Sequence, residues 1–173
     1  MWDNFIAWRA EKKIDTVVQD FYLPEEAQIH EHYQFNFHGV DKGGRPIVYT
    51  LMGQFNWEEL MKVTTVERMH QYFYVFHEIM LKKRLPACSA TAGKKIEQMT
   101  CIYDMKDTTW SKIKDCFEII RFGCETASNY YPETLHLCLV VNAPFVFYAI
   151  WGIVKNFIDE KTAAKVQIRG SDY

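Results

Sequence analysis

An α/β domain built around a mostly parallel sheet is the architecture this sequence predicts, and two observations carry it. Short β-rich runs, MTCIYDM (Met99 to Met105), LCLVVN (Leu137 to Asn142) and KVQIRG (Lys165 to Gly170), alternate with segments of helical periodicity, the order that builds βαβ units. Upstream, YQFNFHGV and IVYTLM flank the turn cluster Asp41-Lys42-Gly43-Gly44-Arg45-Pro46 and read as two strands joined by a Gly-containing loop. With 173 residues, 49% of them hydrophobic and 24% charged, the chain is long enough to bury a sizeable core as one domain, residues 1–173.

The helices follow from periodicity and caps. Thr64-x-x-Glu67 forms a capping box for a helix whose apolar face is Met69, Tyr72, Phe73, Phe76, Ile79 and Met80. Asp107-Thr108-Thr109 opens a second, continued by Ile113, Phe117, Ile120, Cys124 and Ala127 at steps of three and four, with Pro132 beyond its end.

Twenty basic against 22 acidic residues give a formal charge of -2, with no dense basic block, so nucleic acid is not an expected partner. The cysteines Cys88, Cys101, Cys116, Cys124 and Cys138 are odd in number and contain no C-x-x-C pair, which argues against a disulfide framework and a zinc site. The N-terminus MWDNFIAWRAEKK lacks the uninterrupted apolar stretch of a signal peptide. A cytoplasmic protein is expected.

Catalytic patterns fail one by one. His30-Glu31-His32, placed on an extended strand, would set two imidazoles on one side and begin a metal site, yet no H-E-x-x-H or neighbouring Cys completes it, and a solvated stretch is the favoured reading. Gly93-Lys94 resembles the end of a phosphate loop, but Cys88 and Lys95 stand where that loop requires Gly and Ser or Thr. No G-x-S-x-G elbow occurs. Cys101 and Cys138 sit in apolar strands, where a thiol behaves as a small hydrophobe. No catalytic residue, metal ligand or cofactor is assigned, and an enzyme, a hydrolase included, is disfavoured.

What remains is an apolar surplus. FVFYAIWGIV, Phe145 to Val154, is apolar all round but falls short of the roughly 20 residues that span a bilayer, and Pro144 cuts it from the strand before it. Two readings stand on equal terms: a buried core helix, or a helix that closes over an apolar ligand.

RLPACSATAG (Arg84 to Gly93), YDMK (Tyr103 to Lys106), NYYPE (Asn129 to Glu133), VNAPFVF (Val141 to Phe147) and FIDEKTAAKV (Phe157 to Val166), with DKGGRP and KVTTVERM upstream, together resemble the CRAL-TRIO domain. The branch they resemble is the secretory phosphatidylinositol/phosphatidylcholine transfer proteins, and the match runs nearly the length of the chain. The resemblance implies a mostly parallel sheet that floors a hydrophobic lipid pocket, with a gate helix covering it. Phe145, Phe147, Tyr148, Trp151 and Val154 would belong to that gate. It further implies a phosphatidylinositol headgroup site at Glu133, Thr162 and Lys165, where Glu133 accepts from inositol hydroxyls, Thr162 donates a hydroxyl and Lys165 supplies a cation for the phosphodiester. Thr162 and Lys165 are expected on one helical turn. Phosphatidylcholine-binding members carry hydroxyl groups at the positions of His77, Met99 and Cys101, so at this lipid pocket the resemblance does not extend to choline-lipid recognition. The family also has a helical bundle before the domain and further segments after it, whereas this chain begins near the last of those helices, at Trp2 to Arg9, and stops at Tyr173. An incompletely walled pocket is therefore expected.

The ligand implied is a phospholipid, bound and transferred or presented between membranes, with transient peripheral contact to endomembranes. The alternative is a protein-interaction or regulatory module of the same fold without lipid transfer activity. Protein partners are not indicated by the sequence.

Overall fold

The computed structural model describes residues 2–115 and 117–171, with the backbone alone at Val146. Cys116, one of the counted cysteines, lies outside the described residues. Three short helices come first, α1 (Trp2–Glu11), α2 (Val17–Asp20) and α3 (Glu26–His32), followed by strands β1 (Phe35–Val40) and β2 (Pro46–Leu51). The chain continues through α4 (Trp57–Val63), α5 (Val66–Ile79), a π-helical turn Met80–Arg84 and α6 (Leu85–Ala92) into β3 (Met99–Asp104). Then come α7 (Trp110–Asp115), α8 (Phe117–Tyr130), β4 (Leu135–Val141), α9 (Phe145–Val154), α10 (Glu160–Ala163) and β5 (Val166–Ile168).

The five strands lie in sequence order, β1 antiparallel to β2 and the remaining pairs parallel. Right-handed crossovers that always step in one direction put their helices on one face of the sheet. That face carries the core. Val48, Cys101, Cys138 and Val166 form one register row across it, and Thr50, Tyr103, Val140 and Ile168 the next. Phe76 of α5 closes on Phe35 and Phe37 of β1 at ring distances of 4.5 and 5.1 Å, and Ile150 and Val154 of α9 join the same cluster. The opposite face holds Ile47, Ile102, Leu137 and Leu139, half-buried and outside that cluster.

Local chemistry explains the boundaries. Asn56 caps α4 by accepting from the Glu59 amide at 3.3 Å, and Asp159 caps α10 by accepting from the Thr162 amide at 3.0 Å. The cap of α5 is Thr65, whose hydroxyl accepts from the Arg68 amide at 3.3 Å, so the expected box starting at Thr64 is one residue early. Pro86 supplies no N–H to the turn before it, and the chain widens there into the π-helical turn. Gly53 is required by close approach: a Cβ on it would stand 1.7 Å from the Lys106 carbonyl oxygen.

Two further expectations are corrected. His30, Glu31 and His32 lie in helix α3, not on a strand, so their side chains diverge by about 100° per residue. His30 instead meets the Tyr72 hydroxyl at 3.2 Å. Among the described residues no group of three His, Cys, Asp or Glu could hold a metal ion. The single helix expected after Asp107 is two, α7 and α8.

A second aromatic cluster fastens α1 to the body. Trp8 stacks on Tyr130 at 4.0 Å and meets Tyr74 and Tyr131 edge-on. Beside it Glu78, 1% exposed, receives Arg9 at 3.0 Å, Lys82 at 2.9 Å and the Tyr131 hydroxyl at 3.2 Å.

Candidate lipid site

The gate stretch forms a helix with the expected bounds, but it is not buried all round. Phe147, Ile150, Trp151 and Val154, at steps of three and four, pack against the core. Phe145 is 92% exposed and Tyr148 and Ile153 about half exposed on the other side. The aromatic residues assigned to the gate are thus divided: Phe147 and Trp151 are held inside, Phe145 and Tyr148 stand outside. Ile150 and Val154 are buried, and withdrawing side chains of this size into water costs about 1.5–3 kcal/mol each. Burial of these side chains holds α9 against the core in water.

Beneath α9 the space above the sheet is filled by side chains. Between α5 and α8 a cavity of about 30 Å³ remains, lined by Tyr33, Phe35, Phe73, Phe76, Ile119 and Phe122 among others. It is water-sized and too small for an acyl chain. An open groove of about 690 Å³ lies at the amino edge of the sheet, between Leu81, Leu85, Pro86 and Ile96 on one side and Gln98 and Glu133 on the other.

His77, Met99 and Cys101 are all buried. The His77 ring stacks on Tyr131 at 4.4 Å and meets Phe73 edge-on at 4.4 Å, while its Nε2 has no partner among the described residues. Burial pushes its pKa down to about 3, so the imidazole is neutral at physiological pH. Burial also pushes the Cys101 thiol up to about 12 and the Cys124 thiol to about 11, which leaves them as thiols. None of the three positions presents a hydroxyl or a charge.

A pH prediction follows for His77. Its folded pKa lies below the unfolded value near 6.5, so the unfolded chain binds the extra proton first and stability falls as pH drops from 6.5 toward 3. Between pH 7 and pH 5 denaturant titration is expected to show a loss of about 2 kcal/mol more in the wild type than in His77→Leu. Equal losses in the two proteins would place the titration elsewhere.

At the amino edge, the turn after α8 and the segment before β5 come together. Lys165 Nζ stands 3.2 Å from Glu133 Oε2 across 32 residues of sequence. Lys165 is 22% exposed at its side chain and Glu133 69%, and Glu133 also lines the open groove. Glu133 has a left-handed backbone, φ 60°, a conformation that costs a non-glycine residue roughly 1 kcal/mol or more. Gln98 donates to its carbonyl at 3.2 Å and to that of Leu135 at 3.3 Å, which secures the turn.

Thr162 departs from expectation. It lies in α10, which ends at Ala163, and Lys165 follows in the hydrogen-bonded turn that closes the helix. Its amide reaches back to the Thr162 carbonyl at 3.0 Å. The Thr162 hydroxyl donates to Asp159 Oδ2 at 2.6 Å, which leaves its oxygen as an acceptor. Sequence reasoning missed Asp159 and Gln98; the Asp-x-x-Thr spacing of a helix cap was the available signal for the first.

A mostly parallel five-stranded sheet, with an apolar helix packed on its core face and a charged pair at its amino edge, defines an α/β domain. The CRAL/TRIO domain matches residues 30–173, and the chain belongs to that family. It is 34% identical over 174 residues to the phosphatidylinositol/phosphatidylcholine transfer protein SFH7 of Arabidopsis thaliana, covering 100% of this chain and 32% of that protein. The SEC14 cytosolic factor of Yarrowia lipolytica is 34% identical over 173 residues, covering 100% of this chain and 35% of that protein. The Sec14 cytosolic factor of Schizosaccharomyces pombe is 34% identical over 166 residues, with 96% and 58% covered. This chain therefore spans from 32% to 58% of the length of these relatives. The crystal structure of Sfh5 shares the fold, with a TM-score of 0.72 at 22% identity over 96% of this chain and 56% of that one.

Proposed function

We propose that this domain binds a phospholipid, phosphatidylinositol above all, and transfers or presents it between membranes as a carrier and not as an enzyme. The observation that carries the reading is the Lys165 and Glu133 pair, 3.2 Å apart at the amino edge of the sheet, with Glu133 lining the open groove there. One side chain supplies a cation for a phosphodiester and the other acceptors for inositol hydroxyls. The strained backbone at Glu133 supports a role beyond packing. Relatives whose names state transfer of phosphatidylinositol and phosphatidylcholine support the lipid class.

Phosphatidylinositol is favoured over phosphatidylcholine because His77, Met99 and Cys101, buried in the core and lining neither cavity, would offer a lipid there only a neutral imidazole, a thioether and a thiol. Nothing in that set bonds a choline phosphate strongly. Among the described residues no helix is long and apolar enough to cross a membrane. The domain is proposed to work from the cytoplasm and to touch endomembranes transiently, with Phe145 and Tyr148 of α9 entering the headgroup region as the core face of the helix turns outward.

Transfer of labelled lipid from donor to acceptor vesicles tests this. Phosphatidylinositol is expected to move faster with the protein than without it, and faster than phosphatidylcholine. Transfer no faster than in the protein-free control would contradict the carrier role.

A further inference from the structure

We propose that the carboxyl edge of the sheet is a membrane-docking face in which Trp110 is a second aromatic anchor beside α9, and Lys106, Lys114 and Arg169 meet anionic lipid headgroups. Strands β3 and β4 run parallel with Asp104 opposite Val141, and the Met105 amide donates to the Val141 carbonyl at 2.9 Å. Trp110 opens α7 a few residues past the end of β3, and Phe145 opens α9 a few residues past the end of β4. Both helices therefore start from the same edge of neighbouring strands. The end of β5 joins them, because the Ala143 amide donates to the Arg169 carbonyl at 3.0 Å.

Trp110 is 52% exposed, though nothing in a soluble core requires an indole there. With Phe145 and Tyr148 it gives this edge three large aromatic side chains in water. Aromatic rings of this kind favour the headgroup depth of a bilayer. Lys106, Lys114 and Arg169 are exposed around them, and the Lys112 ammonium donates to the Gly53 carbonyl. Asp107 and Asp115 also lie exposed here, whereas Asp104, at the end of β3, accepts hydrogen bonds from the Tyr49 hydroxyl and the Asn142 amide. Aromatic rings interleaved with cations match a surface that is apolar below and anionic above. An acidic or purely apolar protein partner would use only half of that chemistry. Because Trp110 and Phe145 stand on different helices, two anchors fix the orientation of the domain while α9 moves.

This inference rests on the lipid-carrying reading only for the reason why the protein visits membranes. Co-sedimentation with vesicles tests it, using phosphatidylcholine alone and equal parts phosphatidylcholine and phosphatidylserine. The wild type is expected to prefer the anionic vesicles and to lose that preference as salt is raised. Trp110→Ser is expected to weaken binding about tenfold on both, with Trp110→Phe retaining most of it. The double variant Lys106→Glu, Arg169→Glu is expected to lose about tenfold on anionic vesicles only. Trp2 is 76% exposed but belongs to α1, away from this edge, so Trp2→Ser is expected to bind as the wild type does. Wild-type binding by Trp110→Ser, an equal loss in Trp2→Ser, or no vesicle binding by the wild type would each overturn the proposal. Should Trp110→Ser fail to fold, the charge-reversed variant decides by keeping or losing the anionic preference. Lipid extracted from the same preparations separates the two readings: a wild type that docks yet carries no lipid refutes the carrier and leaves the docking face standing.

Discussion

Glu78→Ala is expected to destabilise the domain by about 3–5 kcal/mol, because it breaks a buried ion network from its centre. Arg9 and Lys82 would each lose their partner at Glu78, and the Tyr131 hydroxyl would lose its acceptor. Burial pushes the Glu78 carboxyl up, but Arg9 and Lys82 outweigh it and the net direction is down. The carboxylate therefore contributes stability above its ordinary value of 4.5, lost as pH falls through the lower folded value. In a domain of this size about 1 kcal/mol corresponds to a shift of roughly 2–4 °C, so calorimetry is expected to register a fall of roughly 6–20 °C. Because Arg9 also anchors α1 beside Trp8, α1 is expected to lose amide protection in hydrogen exchange before the sheet does. A midpoint within about 2 °C of the wild type would mean that the network contributes little.

Little of that network is legible in the sequence. Arg9, Glu78 and Tyr131 are brought together across 69 and 53 residues, and no local pattern marks them. The sheet is different. The run from Met99 and the runs at Leu137 and Lys165 fall on β3, β4 and β5 because short β-rich segments between turns have few alternatives. FVFYAIWGIV forms α9 from its first residue to its last, since Pro144 fixes the start. Its two faces were hidden because every position is apolar, so periodicity had nothing to contrast. Helix α3 escaped notice for the converse reason: Ile29 is its one buried residue, and a single apolar side chain has no period. The division of α7 from α8 was masked by Ile113 and Phe117, whose spacing of four continues across it. Lys165 and Glu133 were linked through motif resemblance alone, and their proximity comes from parallel strands β4 and β5 placing the residues before each at one edge.

The second large effect concerns that pair. Lys165→Ala is expected to weaken phosphatidylinositol binding tenfold or more, the loss of one charge-assisted contact of about 1.5–3 kcal/mol. Binding of phosphatidylcholine, proposed to be the weaker, is expected to change little. Glu133→Ala removes the inositol acceptor but also frees Lys165 from its ion pair, so a smaller loss is expected than for Lys165→Ala. Both side chains are partly exposed, and circular dichroism and melting are expected to stay near those of the wild type. Equal phosphatidylinositol binding by wild type, Lys165→Ala and Glu133→Ala would move the headgroup site elsewhere.

Organic extraction of the natively purified protein, followed by mass spectrometry of the extract, bears most directly on the claim that this domain carries an inositol phospholipid. Phosphatidylinositol is expected in near-stoichiometric amount in the wild type and depleted in Lys165→Ala, with phosphatidylcholine minor in both. An extract without phospholipid, or one in which phosphatidylcholine dominates and Lys165→Ala leaves it unchanged, would contradict it.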